Sequence, residues 1–327
     1  MKRILIYSII FLLTGFTVLQ GQQLPLFSQY VMNGFILNPA MAGYDGYTSL
    51  NTTVRQQWLG FEGAPLTYSA TWQTRLLRQS YRIVQSPVRK ENMLLPSTKG
   101  RVGLGAYIIN DDNANVAKTG IQFTYAYHIL MNNNQLSFGI AAKAYQYRIK
   151  EEDLVFGEDG DPVINGALRT VGYCPDADIG VFWWGRDFFL GASASNLFQS
   201  ALKIGSTDLP NFKTIRHYWF MGGYKFKVGE ELQIEPNFLF KTSEQFLPQG
   251  DFGIKVYYNE DYWAGLAGRT DGSLILLFGM KANQVYIGYA FDYALSEIRK
   301  FNYGSHELSL SIKFGTNARR YRWLNRY

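Results

Sequence analysis

The sequence is short of the residues from which enzymes and disulfide-held secreted domains are built. Cys174 is its one cysteine, so no internal disulfide can form, and nothing around it has the spacing of a metal site or a Cys–His pair. It reads as a small residue before Pro175 where a strand begins. Histidine is scarce too, with only His128, His217 and His306. None has HxxxH spacing and no Gly-x-Ser-x-Gly elbow occurs, which removes the common signatures of zinc and serine hydrolases. Charge is thin: 18% of residues carry it, and the net +6 falls by two, to about +4, once Lys2 and Arg3 leave with a leader. That is too diffuse for a nucleic-acid surface. Beyond Gly21 no apolar run approaches the ~20 residues that a membrane-spanning helix needs. The mean hydropathy of -0.14 is far below that of a helical membrane protein.

Aromatic residues are abundant instead: 23 Tyr, 23 Phe and 7 Trp make up 16% of the chain. In a transmembrane β-barrel an apolar outside offsets a polar inside, giving mid-range hydropathy, and Tyr and Trp gather at the two membrane interfaces. The opening residues, 1–21, read as a cleavable signal peptide. Lys2 and Arg3 form its positive start, Ile4 to Leu13 its apolar stretch, and Gly15 to Gly21 a small and polar exit. A membrane anchor is the rival reading, disfavoured by the short apolar stretch. No cysteine follows that stretch, which argues against a lipoprotein.

Two-residue alternation then recurs along the chain with turn signals between segments. Leu308, Leu310, Ile312 and Phe314 alternate with Glu307, Ser309, Ser311 and Lys313. Val285, Ile287, Tyr289, Phe291 and Tyr293 alternate with Tyr286, Gly288, Ala290 and Asp292; Leu136, Phe138 and Ile140 alternate with Ser137, Gly139 and Ala141. The second face is small or charged each time, which suits a wet lumen. Fourteen such segments fall near 46–58, 66–76, 101–110, 118–130, 134–149, 175–184, 187–196, 216–228, 231–242, 249–259, 261–270, 273–281, 284–294 and 305–315. The expected fold is all-β: a transmembrane antiparallel up-and-down barrel of about 14 strands.

The links sort by parity. Met131–Asn133, Gly185–Arg186, Gly229–Glu230, Glu260 and Ala282–Asn283 are very short. The links between them, 150–174, 197–215, 243–248 and 295–304, are longer, with Asp271-Gly272 the exception. Outer-membrane barrels have short periplasmic turns and longer outside loops. The expected organisation is therefore a signal peptide 1–21, an N-terminal periplasmic lead-in 22–45, a barrel 46–315 and a basic periplasmic tail 316–327. The tail carries Arg319, Arg320, Arg322 and Arg326. One long link, 77–100, falls on the short-turn side and carries Arg78, Arg82, Arg89, Lys90 and Lys99. It is either a solvated loop or a docking element for a periplasmic partner.

The expected lumen residues mix signs: Lys143, Lys225, Lys255, Lys313, Asp176, Asp178, Glu235, Asp251, Asp292 and Glu307. A selective channel favours one sign at its constriction, so mixed signs fit salt bridges that stiffen the barrel. His128 follows Gln122, Thr124 and Ala126 on a polar face, His217 precedes an aromatic strand, and His306 opens the last segment beside Glu307. All three read as wall or strand-end polar residues rather than as catalysts, and no cofactor or metal is expected. A barrel hydrolase would require His128 or His306 to act as a base.

The stretch Phe27-Ser28-Gln29-Tyr30, followed by Asn38-Pro39-Ala40-Met41-Ala42-Gly43 and by Arg55-Gln56-Gln57-Trp58-Leu59-Gly60-Phe61-Glu62-Gly63-Ala64-Pro65, resembles the start of the PorP/SprF family of type IX secretion system membrane proteins of the Bacteroidetes. Tyr125-Ala126-Tyr127-His128, Ser195-Asn196-Leu197-Phe198, Gly288-Tyr289-Ala290-Phe291-Asp292-Tyr293 and Gly304-Ser305-His306-Glu307-Leu308 continue the resemblance in order, over about 24–315. The 77–100 insertion and the residue before Arg269 depart from the family pattern.

The resemblance implies a non-enzymatic outer-membrane component of type IX secretion and gliding motility. It would support export or surface anchoring of a large protein with a C-terminal sorting domain, with secretion-machinery components and outer-membrane lipid as its other partners. The alternative is a passive porin for small solutes. Residues singled out for partner contact are Phe27, Tyr30, Asn38, Pro39, Arg55, Trp58, Gly60, Phe61, Gly63, Pro65, Arg82, Arg89 and Lys90. Asn38, Pro39 and Gly43 read as turn formers leading into the first strand. Arg55 and Trp58 are expected to hold the Gly60–Pro65 loop by a cation–π contact or a hydrogen bond.

Overall fold

A computed structural model of the chain describes residues 27–76, 79–85, 92–98, 101–131, 134–150, 171–202 and 212–315. The expected signal peptide and basic tail, with Arg89 and Lys90, lie outside the described residues.

Fourteen strands form the wall: β1 Thr48–Gln56, β2 Leu66–Leu76, β3 Val102–Asn113, β4 Val116–Leu130, β5 Gln135–Ile149, β6 Val171–Trp184 and β7 Phe188–Ser195, then β8 His217–Tyr224, β9 Leu232–Ser243, β10 Gln249–Tyr258, β11 Tyr262–Arg269, β12 Ser273–Ala282, β13 Val285–Ala294 and β14 Ser305–Phe314. Each pairs antiparallel with the next. β14 returns to β1 in the register Thr48↔Phe314 to Gln56↔His306, so no edge is left open. Closure matters because an unpaired strand edge in lipid leaves backbone groups with no partner.

Polarity is inverted relative to a soluble sandwich. On β1, Ser49, Asn51, Thr53 and Arg55 point inward and are buried, while Leu50 and Val54 face out. On β14, Glu307, Ser309 and Ser311 are inside, with Leu308 and Leu310 outside. Apolar side chains therefore meet lipid and polar ones meet the interior. The turns at the end bearing Thr48 and Phe314 are tight. Asn259 and Glu260 both take positive φ, 51° and 59°, as two-residue turns matched to strand twist require. The long link between β2 and β3 is different: Gln79–Gln85 pairs with Asn92–Thr98 as a separate two-stranded hairpin. Its backbone is thus paired over those residues.

The segment expected as a lead-in over 22–45 is described from Phe27, and from there it runs through the barrel. Two 3-10 turns, Gly34–Ile36 and Pro39–Met41, fold it into a plug. Pro39 sits where a short helix needs no N–H, and Asn38 caps the turn by accepting from the Ala40 N–H at 2.9 Å. Phe27, Tyr30, Phe35, Leu37, Ala40, Met41 and Ala42 form one buried cluster with the wall residues Tyr107, Tyr145, Phe182, Trp219 and Met221. Burying a ring such as Phe35 stabilises the fold by about 1.5–3 kcal/mol. Part of the lumen is therefore a packed apolar core. The small inner faces that suggested water make room for the plug.

Candidate functional site

The plug begins near the long-loop end of the barrel, where its first turn is clamped by charge. Glu307 accepts the Ser28 and Gln29 backbone N–H groups at 2.7 and 2.9 Å. The Ser28 hydroxyl donates to Asp292 at 2.7 Å. Arg55 ties these acids together, with Nη2 at 2.6 Å from Asp292 and Nη1 at 3.1 Å from Glu307. Arg269 reaches Asp292 at 3.4 Å and grips Asp251 at 2.8 Å. All five charged side chains are buried. Such a cluster persists only because each charge has an opposite partner within hydrogen-bond reach. Just beyond, Tyr30 donates to Asn237 Oδ1 at 2.7 Å.

Farther along, the Asn38–Gly43 stretch lies against wall glycines. A Cβ added at Gly139 would fall 2.2 Å from the Ala40 nitrogen, and one at Gly103 would fall 1.9 Å from the Ala42 oxygen. Wall and plug backbones touch directly there. Asn38 Nδ2 donates to the Val181 and Ala192 carbonyls at 2.9 and 3.3 Å, closing the ladder between β6 and β7 onto the plug. His128 Nε2 lies 3.0 Å from the Ala42 carbonyl, which only accepts, so that nitrogen carries the proton. Its Nδ1 then accepts from the Ser137 hydroxyl at 2.8 Å. Both ring nitrogens are occupied, and the imidazole is a positioning group for the plug. His306 points outward and bonds the Tyr289 hydroxyl at 2.6 Å, so the two histidines share no site.

Asn38→Asp is a sharp test of this anchoring. It removes both donors and places a charge beside two buried carbonyls, at an expected cost of about 2 kcal/mol or more. Urea unfolding of the refolded barrel in lipid vesicles measures it, and an unchanged midpoint would show that the plug is not anchored at Asn38.

Of the residues singled out in the sequence, Phe27, Tyr30, Asn38 and Pro39 are buried inside the barrel. Of the pair expected to hold the Gly60–Pro65 loop, Arg55 falls on the inward face of β1 and is spent on the clamp, whereas Trp58 does make a hydrogen bond at the loop, through its backbone. The loop after β1 is held by backbone instead. The Trp58 N–H donates to Ser305 Oγ at 3.1 Å, and Leu59 exchanges hydrogen bonds with Tyr303 and Gly304, each 2.8 Å. Gly60 has φ +92° and a Cβ there would meet the Tyr303 ring at 2.8 Å, so only glycine fits. The Gly63 carbonyl accepts from Ala114, Pro65 closes the loop by accepting from Gln57, and Phe61 is exposed. Arg82 lies in the separate hairpin, opposite Leu95. Sequence reading placed Asp251, Asp292 and Glu307 in the lumen but missed the clamp they form with Arg269. Pairing opposite charges across the inward faces of β10 to β1 would have pointed to it.

The segments that meet at the clamp, 27–30, 55–65, 288–293 and 304–308, are far apart in sequence. A family model described as type IX secretion system membrane protein PorP/SprF matches residues 19–312 of this chain. The chain belongs to the PorP/SprF family. It is an outer-membrane barrel and a membrane component of type IX secretion. No curated protein matches it. Among solved structures it is similar to the toluene transporter TbuX of Ralstonia pickettii, at 11% identity and TM-score 0.46, over 86% of this chain and 92% of that one. Omp33 of Acinetobacter baumannii is similar at 7% identity and TM-score 0.42, over 83% of this chain and 100% of that one. In this PorP/SprF barrel, Arg55, Gly288, Asp292 and Glu307 of the wall meet Phe27–Tyr30 of the N-terminal segment and seat it in the lumen.

Proposed function

We propose that this barrel is a non-enzymatic accessory of type IX secretion and gliding, holding a cognate exported protein at the cell surface and linking it to periplasmic machinery. The observation that carries this reading is the filled lumen: residues 27–47 occupy the path that a diffusing solute would need. The long-loop end faces outward in this reading. Phe61, Phe198, Phe246, Phe301 and Tyr303 lie exposed on its loops, which supports a protein-contact surface of the aromatic kind. The opposite end, with its separate basic hairpin, is the periplasmic side.

Two measurements test the reading. In planar bilayers the purified barrel is expected to give a closed trace, whereas a stable open pore would favour a diffusion channel. In cells, a photo-crosslinking residue in place of Phe61 is expected to capture a large exported protein. Recovery of lipid and lipopolysaccharide alone would count heavily against the accessory role.

A further inference from the structure

Below the plug, at the end that carries Thr48 and Phe314, the lumen opens into a vestibule of about 390 Å³, within the ~300–1,000 Å³ range of sites that hold small ligands or a few residues of chain. Tyr30, Met41 and Tyr44 of the plug form its ceiling, and Trp184, Tyr257 and Trp263 are among its walls. Its charge is lopsided: Arg186, Lys225, Lys227, Lys255, Lys281 and Lys313 line it against Asp187, Glu235 and Glu260. Lys313 is neutralised by Asp45 at 2.9 Å and Lys281 by Asp261 at 3.3 Å.

Lys255 is different. It is 2% exposed, yet among the described residues it makes no ion pair or hydrogen bond. Glu235 stands directly across the ladder, but its carboxylate is taken by Lys225 at 3.4 Å and by the Tyr257 hydroxyl at 3.3 Å. An ammonium this enclosed with no direct ion pair is costly; Glu235 and Glu307 are the carboxylates near it, and it borders the cavity. Arg186 and Lys227, exposed at the mouth, also lack an ion-pair partner among the described residues.

We propose that the vestibule binds an acidic peptide segment of a partner protein, with Lys255 as the buried counter-charge and Arg186 and Lys227 at the entrance. Charge argues against the chain supplying the occupant itself. The two stretches that continue the chain after Leu76 and after Gly315 are basic in sequence, 77–100 through Arg78, Arg82, Arg89, Lys90 and Lys99, and 316–327 through four arginines. Like charge disfavours either as the occupant of a basic cavity. The aromatic walls offer flat apolar surface for the peptide's stems, which a site for a bare anion does not need. That the peptide comes from a periplasmic partner rests on the accessory reading above; the anion site itself does not.

The test uses the mature barrel in lipid nanodiscs and a fluorescein-labelled hexaglutamate amide, read by fluorescence polarisation. Saturable binding is expected, with hexaglutamine inert. Lys255→Met should weaken binding about tenfold or more, Lys255→Arg should retain it, and Lys118→Met, on the other side of the plug, should leave it unchanged. Lys227→Ser, at an exposed position on the short strand Phe226–Val228, should weaken it less. Absence of saturable binding, or equal affinity in folded Lys255→Met, overturns the proposal. Displacement by inorganic phosphate at the peptide's own affinity also overturns it, in favour of a small-anion site. If crosslinking from position 61 still captures an exported protein while hexaglutamate fails to bind, the vestibule assignment alone falls.

Discussion

Replacing Arg55 with methionine is expected to cost the barrel about 3–5 kcal/mol, the range for removing one partner of a buried ion pair. The guanidinium bridges Asp292 and Glu307, and it also bonds the Ser28 hydroxyl at 3.0 Å. Without it Glu307 keeps two backbone N–H donors, and Asp292 keeps the Ser28 hydroxyl at 2.7 Å and Arg269 at 3.4 Å. Arg269 is already committed to Asp251 in a fork with three contacts of 3.1 Å or less. Two carboxylates would then share one busy cation in a buried site. The Arg55→Met, Glu307→Gln double variant removes one charge of each sign and is expected to recover part of the loss. Urea unfolding in lipid vesicles, followed by tryptophan fluorescence, measures both. A loss below about 1 kcal/mol, typical of exposed pairs, would show that the clamp is solvated and that the lumen is wet at this level.

The second large effect comes from one added side chain. Gly139→Leu is expected to dislodge the plug and turn a closed barrel into a conducting one. The first atom of the new side chain would lie 2.2 Å from the Ala40 nitrogen and 2.3 Å from the Pro39 carbonyl carbon. Those are backbone atoms, which no rotamer change can move aside, so the strain exceeds that of ordinary overpacking. The wall is held by ladders to β4 and β6 over most of the length of β5. The plug, held by side chains, has to yield. Gly268→Leu is the control, because a Cβ there meets nothing within 4 Å. Planar-bilayer recording should show stable openings for the Gly139 variant and none for the Gly268 variant. Closed traces from a correctly folded Gly139→Leu barrel would mean that the Asn38–Gly43 stretch does not obstruct the lumen.

These effects separate what was legible in the chain from what was not. The wall was legible because its physics is local and periodic. Leu308, Leu310 and Ile312 face lipid while Glu307, Ser309 and Ser311 do not, and a period of two permits only one assignment of faces. Turn length was legible for the same reason, since Asp271-Gly272 declares its own geometry. The family motifs were visible as words without visible purpose. Nothing within residues 27–47 distinguishes a segment that waits outside a barrel from one that fills it. The composition of Phe27 to Tyr47 suits burial, but the partners that bury it are more than a hundred residues away.

The sequence by itself determined a closed antiparallel wall of fourteen strands, its inner and outer faces and its family, because each depends on alternation and on short-range order. Only the tertiary structure decided what the inside is for. Arg55, Arg269, Asp251, Asp292, Glu307 and Ser28 come together because ring closure brings β1 back beside β14, and the plug is threaded past them. That meeting is set by the register of the whole ring, and the energy of a buried charge depends on who its neighbours are.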